Sequence, residues 1–172
     1  MSIFFDKQAE LTSKGRQLTW SLVIIYCFLL VLLCWTPQYG IIEGVETPNV
    51  FSVGRMVFLL VPFNSLLSFG ELDNLKEISW VIGQNLMNIF LIFPLMLGLL
   101  GLFPNLRSLK KIVFLSFAIS LIIETGQLVL DVLIDANRVF EIDDLWTNTL
   151  GGAIAFWAFN RLQTLLRVGE KL

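Results

Sequence analysis

The sequence predicts an all-α integral membrane bundle of four transmembrane helices, with a short interfacial or re-entrant segment after the first. Three observations predict it: long apolar runs almost free of charge, tryptophans near the ends of those runs, and basic residues gathered on alternate connections. Hydrophobic residues make up 56% of the chain and charged residues 15%, with a mean hydropathy of +0.77. Soluble domains of this length do not carry that balance.

Residues 18–35 hold no charge and are about as long as a hydrocarbon core requires. Residues 80–103 form a longer uncharged run, and 112–134 are apolar except for Glu124 and Asp131. Residues 145–160 are a shorter run between Asp144 and Arg161, which can be lengthened by Arg161 reaching to the interface. Trp20 and Trp35 flank the first run, Trp80 opens the second, and Trp146 and Trp157 lie near the ends of the fourth. Indole favours the headgroup level, so this placement fits membrane spans.

Basic residues set the orientation. Lys7, Lys14 and Arg16 precede the first run, Arg107, Lys110 and Lys111 follow the second, and Arg161, Arg167 and Lys171 close the chain, nine of the twelve in all. The positive-inside rule then places both termini in the cytoplasm and makes the protein multi-pass. The outward connections, 36–79 and 135–144, carry Glu43, Glu46, Glu71, Asp73, Glu77, Asp135, Glu141, Asp143 and Asp144, an acidic outer face. The first run lacks a small-x-small cleavage pattern at Cys34-Trp35-Thr36-Pro37 and reads as a retained anchor. This gives a cytoplasmic N-terminal segment at 1–16, a transmembrane domain at 17–166 and a cytoplasmic tail at 167–172. The first segment mixes charge with Ile3, Phe4, Phe5 and Leu11, which fits a short helix on the inner interface. Residues 51–63 are apolar but for Arg55 and too few to span, hence the interfacial or re-entrant reading.

Polar groups inside lipid are costly, so their positions carry information. Glu124, Gln127 and Asp131 fall at i, i+3 and i+7 on the third run, which puts them on one helical face. Gln84, Asn85 and Asn88 lie in the outer half of the second, and Asp144, Asn148 and Gly151 share a face of the fourth. Three polar stripes thus agree in depth, as a cavity open to the outside and floored by Glu124 would require. A plainer reading stands beside this one. Asn85 and Asn88 can serve as interhelical hydrogen-bond partners, and Asp143 and Asp144 as caps of a helix N-terminus. Gly98, Gly101, Gly151 and Gly152 offer sites for close helix approach, and Pro94 is expected to bend the second run.

The chain has no histidine, so the commonest general base and transition-metal ligand are absent. Cys27 and Cys34 are about 10 Å apart along one helix and read as apolar fillers. No basic run points to nucleic acid, and no cofactor or established metal motif is present in the sequence.

Glu124-Thr-Gly-Gln127, then Arg138-Val-Phe-Glu-Ile-Asp-Asp144, then Asn148-Thr-Leu-Gly151 resemble the signature of VanZ-like membrane proteins. Val61-Pro62-Phe63 and Asn88-Ile-Phe-Leu-Ile-Phe-Pro94 resemble that family's other recurring patches, and together the match runs from about 58 to 160. Two positions depart from the pattern: Met96 stands where glycine is frequent, and Glu141 where aspartate is common. The resemblance implies a bacterial plasma-membrane protein of the cell envelope, in a context of lipoglycopeptide (teicoplanin-type) antibiotic resistance, rather than a particular reaction.

Two functions follow as expectations. In the first, the outward cavity binds an amphipathic ligand, such as a lipid-linked cell-wall precursor or a lipopeptide, with membrane lipids as neighbours. Glu124, Gln127, Arg138, Asp144, Asn148 and Asn88 are its ligand-binding candidates, Arg138 pairing with a phosphate or carboxylate. In the second, an integral-membrane enzyme acts on lipid-linked envelope substrates. There Glu124 is the general acid or base, and Glu141, Asp143 and Asp144 are weak candidates for a divalent cation. A proton-coupled transporter, with Glu124 as carrier, is a third.

Overall fold

The computed structural model describes residues 3–6, 8–38, 48–67 and 75–169. The fold is mostly helical: α1 (Ser13–Trp35), α2 (Asn64–Leu67), α3 (Leu75–Leu102), α4 (Leu109–Ile134) and α5 (Ile142–Gly169). Three strands, β1 (Phe51–Val53), β2 (Met56–Leu59) and β3 (Val139–Glu141), form one small sheet in the order β1-β2-β3.

Among the described residues three helices are long and apolar enough to cross a membrane, over Ser13–Trp35, Ile78–Leu102 and Leu109–Ile134. They match the first three predicted spans. The fourth run lies within a continuous 28-residue helix, α5, longer than its apolar stretch alone indicates. With Asp143, Asp144, Asn148, Asn160 and Arg161 inside it, α5 does not reach the apolar composition of the other three.

The all-α expectation needs correcting at one place. Within the short segment expected after the first span, residues 51–59 form a β-hairpin, with Phe51 opposite Phe58 and Val53 opposite Met56. Phenylalanine and valine suit strands. Gly54, at φ +64° in the first central position of the two-residue turn, supplies the backbone that a type II′ hairpin needs. Phe51 and Phe58 stack at 5.6 Å, and Phe58 meets Phe140 at 6.2 Å. β2 then pairs in parallel with β3, Val57 opposite Val139 and Leu59 opposite Glu141. The acidic positions at 43, 46, 71 and 73 lie outside the described residues.

The N-terminal segment also departs from expectation. Residues 3–6 and 8–12 form no helix; Asp6 Oδ1 accepts from the backbone N–H groups of Gln8 and Glu10, and a bridge joins Phe5 to Leu11. These bonds hold the segment in a turn until Thr12 caps α1 by accepting from Gly15 N–H at 3.2 Å. The segment is tied to the far ends of other helices. Glu10 takes a two-pronged ion pair from Arg107 at 2.5 and 2.6 Å, and Arg167 donates to the Gln8 carbonyl. This end of the molecule therefore gathers the starts of α1 and α4 and the finishes of α3 and α5. The sheet lies at the opposite end.

α5 is the centre of the bundle, packing most extensively on α3 and next on α4, while α1 lies against α3. Two glycines make this possible. A methyl group on Gly151 would collide with the backbone carbonyl of Ile89 in α3, and one on Gly152 with the Ser116 side chain in α4. The core below them consists of Ile92, Met96, Leu100, Ile112, Ala155 and Phe159. Met96, where the family pattern favours glycine, is wholly buried and faces Gly152. α3 runs through Pro94 as one continuous helix. By contrast α1 buries few side chains and turns Leu22, Ile24, Ile25 and Phe28 outward.

Candidate functional site

At the sheet end of the bundle, polar side chains from α3, α4, α5 and β3 come together. Glu124, halfway along α4 and 1% exposed, accepts from the backbone N–H of Glu141 at 3.0 Å. Glu141 in turn accepts from Gln84 Nε2 of α3 at 3.0 Å. One turn along α5, Asp144 Oδ1 accepts from Asn88 Nδ2 at 2.5 Å. Asn148, also 1% exposed, donates to Ser120 Oγ at 2.9 Å, and Ser120 donates to the Asp144 carbonyl at 3.1 Å. Glu124, Glu141 and Asp144 lie close enough to feel one another's charge, and the Arg138 guanidinium lies close enough to act on Glu124. Burial pushes the Glu141 carboxyl above the ordinary glutamate range, against the pull of the Gln84 hydrogen bond.

The sequence-derived candidates separate into two groups. Glu124, Asp144, Asn148 and Asn88 converge, joined by Glu141 and Gln84. Gln127 and Arg138 instead hold α1. Gln127 Nε2 donates to the Cys34 carbonyl at 3.0 Å, and the Arg138 guanidinium donates to the carbonyls of Leu33 at 2.6 Å and Thr36 at 3.0 Å. A cation at the last turn of α1 satisfies free carbonyls and complements the helix dipole. Arg55, in the hairpin turn, does the same for Val132 at the end of α4. Asn85 bonds back to the Val81 carbonyl of its own helix.

Asp143 and Asp131 are likewise committed to architecture. Asp143 accepts from Phe63 N–H at 2.6 Å, Ser65 N–H at 2.9 Å, Ser65 Oγ–H at 2.8 Å and Trp146 Nε1–H at 3.0 Å. With both oxygens so engaged, Asp143 fixes the Val61-Pro62-Phe63 patch to the start of α5. Asp131 Oδ1 accepts from Arg138 N–H at 2.9 Å, beside the left-handed residues Asp135 and Asn137 that turn the chain out of α4. Among the described residues no three acidic or cysteine side chains are grouped to hold a metal ion.

Sequence reading missed Ser116 and Ser120, both fully buried. The signal was there: they stand eight and four positions before Glu124, on the same face of α4. The partner of Glu124 was not legible, because it is a backbone N–H in a strand.

What distinguishes this cluster chemically is a buried acceptor without a donor: Asn148 Oδ1 has no hydrogen-bond partner among the described residues, a rare condition that calls for one. Ser116 Oγ, a hydroxyl that can donate or accept, and Asp131 Oδ2, at the end of α4 outside the cluster, are buried without a partner as well. Neither Arg138 nor Arg55 donates to the three carboxylates. The cluster is packed shut around Glu124 and Asn148, with Asp144, Glu141, Gln84 and Asn88 half-buried along its edge. Beside it an apolar cavity of about 240 Å³ opens between α1, α3 and α4, lined by Leu30, Cys34, Trp35, Leu95 and Ile123 among others.

A scan against family models matches VanZ/LLP1 over residues 23–165, most of the chain and the whole of the polar cluster. The chain belongs to the VanZ/LLP1 family. Searches of curated proteins and of solved structures return no match. The VanZ/LLP1 match begins inside α1 and ends inside α5, so it touches all four long helices and leaves out the N-terminal segment. Together with three helices of membrane-crossing length and composition, membership points to a membrane protein of VanZ type.

Proposed function

We propose that this chain is a multi-pass membrane protein whose polar cluster receives the polar part of an amphipathic or lipid-linked ligand from the outer leaflet. In this reading α5 is the fourth span, both termini are cytoplasmic, and residues 17–166 form the membrane domain. The distribution of Lys and Arg supports that orientation, since Arg107, Lys110, Lys111, Arg161 and Arg167 share the end opposite the cluster.

The observation that carries the proposal is the buried Asn148 Oδ1 without a donor, in a cluster that also holds the carboxyl groups of Glu124, Glu141 and Asp144. A ligand that brings hydroxyl or ammonium donors fits this deficit better than a bare phosphate does. Sugar hydroxyls of a lipid-linked cell-wall precursor, or amines of a lipopeptide, have that chemistry, and an aliphatic tail fits the adjoining 240 Å³ cavity. The edge formed by Asp144, Asn88, Glu141 and Gln84 is the way in. Arg138 and Gln127 act on α1, which walls the cavity. A role in lipoglycopeptide susceptibility follows if the ligand is a precursor that such drugs also bind.

A second reading, an enzyme on lipid-linked envelope substrates, is favoured by one feature. Glu124 accepts from the backbone N–H of Glu141 and lies within range of that residue's carboxyl charge, so the two carboxyls can divide acid and base roles. Native mass spectrometry of gently solubilised protein distinguishes the cases. Wild type is expected to retain an amphiphile intact that Glu124→Gln and Asn148→Leu lose. Conversion of the added amphiphile to a new mass would favour the enzyme, and no retention by any form would overturn the binding reading.

A further inference from the structure

We propose a second ligand site at the opposite end of the bundle, a groove that holds an acyl chain of an anionic phospholipid. The groove is a cavity of about 520 Å³ between the N-terminal segment, α1, α3 and α5, with Phe5, Leu11, Leu22, Ile25, Leu97 and Phe159 among its lining. It follows α1 from Thr19 to Leu29, about 15 Å of helix, and its size is that of ordinary small-molecule sites. Its walls are nearly all hydrocarbon. The two polar side chains along it are already satisfied, Thr19 donating to the Gly15 carbonyl and Tyr26 to the Leu91 carbonyl. A ligand body with polar groups would leave them unpaired, whereas a hydrocarbon chain leaves none.

Charge at the mouth selects the headgroup. Arg16 lies across the end of the groove, one guanidinium N–H donating to the Leu102 carbonyl beside the groove-lining Gly101. Its other guanidinium N–H groups have no partner among the described residues. The nearby Glu10 carboxylate does not cancel this charge, because it is paired with Arg107 and accepts from Gln163. Free guanidinium donors at the end of an apolar slot suit a phosphodiester carrying an acyl chain. The site is independent of the polar cluster and uses none of its residues.

The test is native mass spectrometry of full-length protein taken from vesicles of equal phosphatidylglycerol and phosphatidylethanolamine. Wild type is expected to retain one phospholipid, with phosphatidylglycerol enriched about fivefold over the bulk ratio. Ile25→Trp, at a position 56% exposed on the groove wall, should lose the lipid. Ile24→Trp, a control 63% exposed and outside the lining, should keep it. Arg16→Gln should retain a lipid without the preference for phosphatidylglycerol, and Glu124→Gln should behave as wild type. Equal retention by Ile25→Trp and wild type overturns the proposal, as does equal loss by both tryptophan variants. A dimer in wild type that Ile25→Trp abolishes also overturns it, in favour of a second copy of the chain filling the groove.

Discussion

Asp143 stands in the first turn of α5, 2% exposed, and accepts four hydrogen bonds from three residues. The sequence suggested a cap for its own helix start, but Asp143 accepts from Phe63 and Ser65, 80 and 78 positions away, and from the Trp146 indole, none of them a free backbone N–H of α5. Replacing it by alanine leaves two backbone N–H groups and an indole N–H without an acceptor. Asp143→Ala is expected to cost about 3 kcal/mol, read as a lower unfolding midpoint in detergent, with Asp143→Asn less damaging. Glu124, Gln127 and Asp131 were legible because helical spacing alone sets them on one face. The role of Arg138 was not, because its acceptors are carbonyls of Leu33 and Thr36 and carry no residue-type signature. Helix ends take cations through the backbone, and only the folded chain shows which end is near.

At the scale of elements, hydrophobic length found α1, α3 and α4, and the run at 145–160 found the middle of α5. The strands escaped because each has three or four residues and its pairing is decided elsewhere: β2 meets β3 across a gap of 82 positions, Val57 to Val139. The N-terminal segment escaped for a related reason. Its apolar residues fit an interfacial helix, yet Asp6 bonds its backbone into a turn and Arg107 draws Glu10 across to the α3–α4 connection. That ion pair has a pH signature. The hydrogen bonds from Arg107 hold the Glu10 carboxyl below its ordinary 4.5, ahead of the opposing effect of burial. A depressed folded value means the pair stabilises the fold above pH 4.5 and the contribution disappears as pH falls through the lower folded value. The side chains are 17% and 33% exposed, so solvent screening limits the effect to about 1 kcal/mol. Glu10→Gln is expected to lower the midpoint at pH 7 and to leave stability less sensitive to acid between about pH 5 and 3 than in wild type.

For the whole molecule, the helix ends sort into two poles: the sheet, the carboxylates and two helix-capping arginines at one, and the N-terminal strap with most basic residues at the other. Orientation in the membrane decides which compartment the cluster faces. Single cysteines placed at Ser52 in the hairpin and Asn105 in the α3–α4 connection, in a chain lacking Cys27 and Cys34, report it directly. With an impermeant maleimide on intact cells, Ser52→Cys is expected to label and Asn105→Cys to label only after permeabilisation. The reverse pattern would turn the cluster toward the cytoplasm and remove outer-leaflet ligands from consideration.

The central claim is that the buried polar cluster is a binding site and not only a seam between helices. The direct measurement is the affinity of the co-purified amphiphile for wild type and Glu124→Gln, both in nanodiscs, with their unfolding midpoints taken alongside. Loss of the Glu124 carboxyl from the cluster is expected to weaken binding about 10- to 100-fold while the midpoint stays near that of wild type. Unchanged affinity, or binding lost only together with the fold, would contradict the claim and leave the cluster as structural glue.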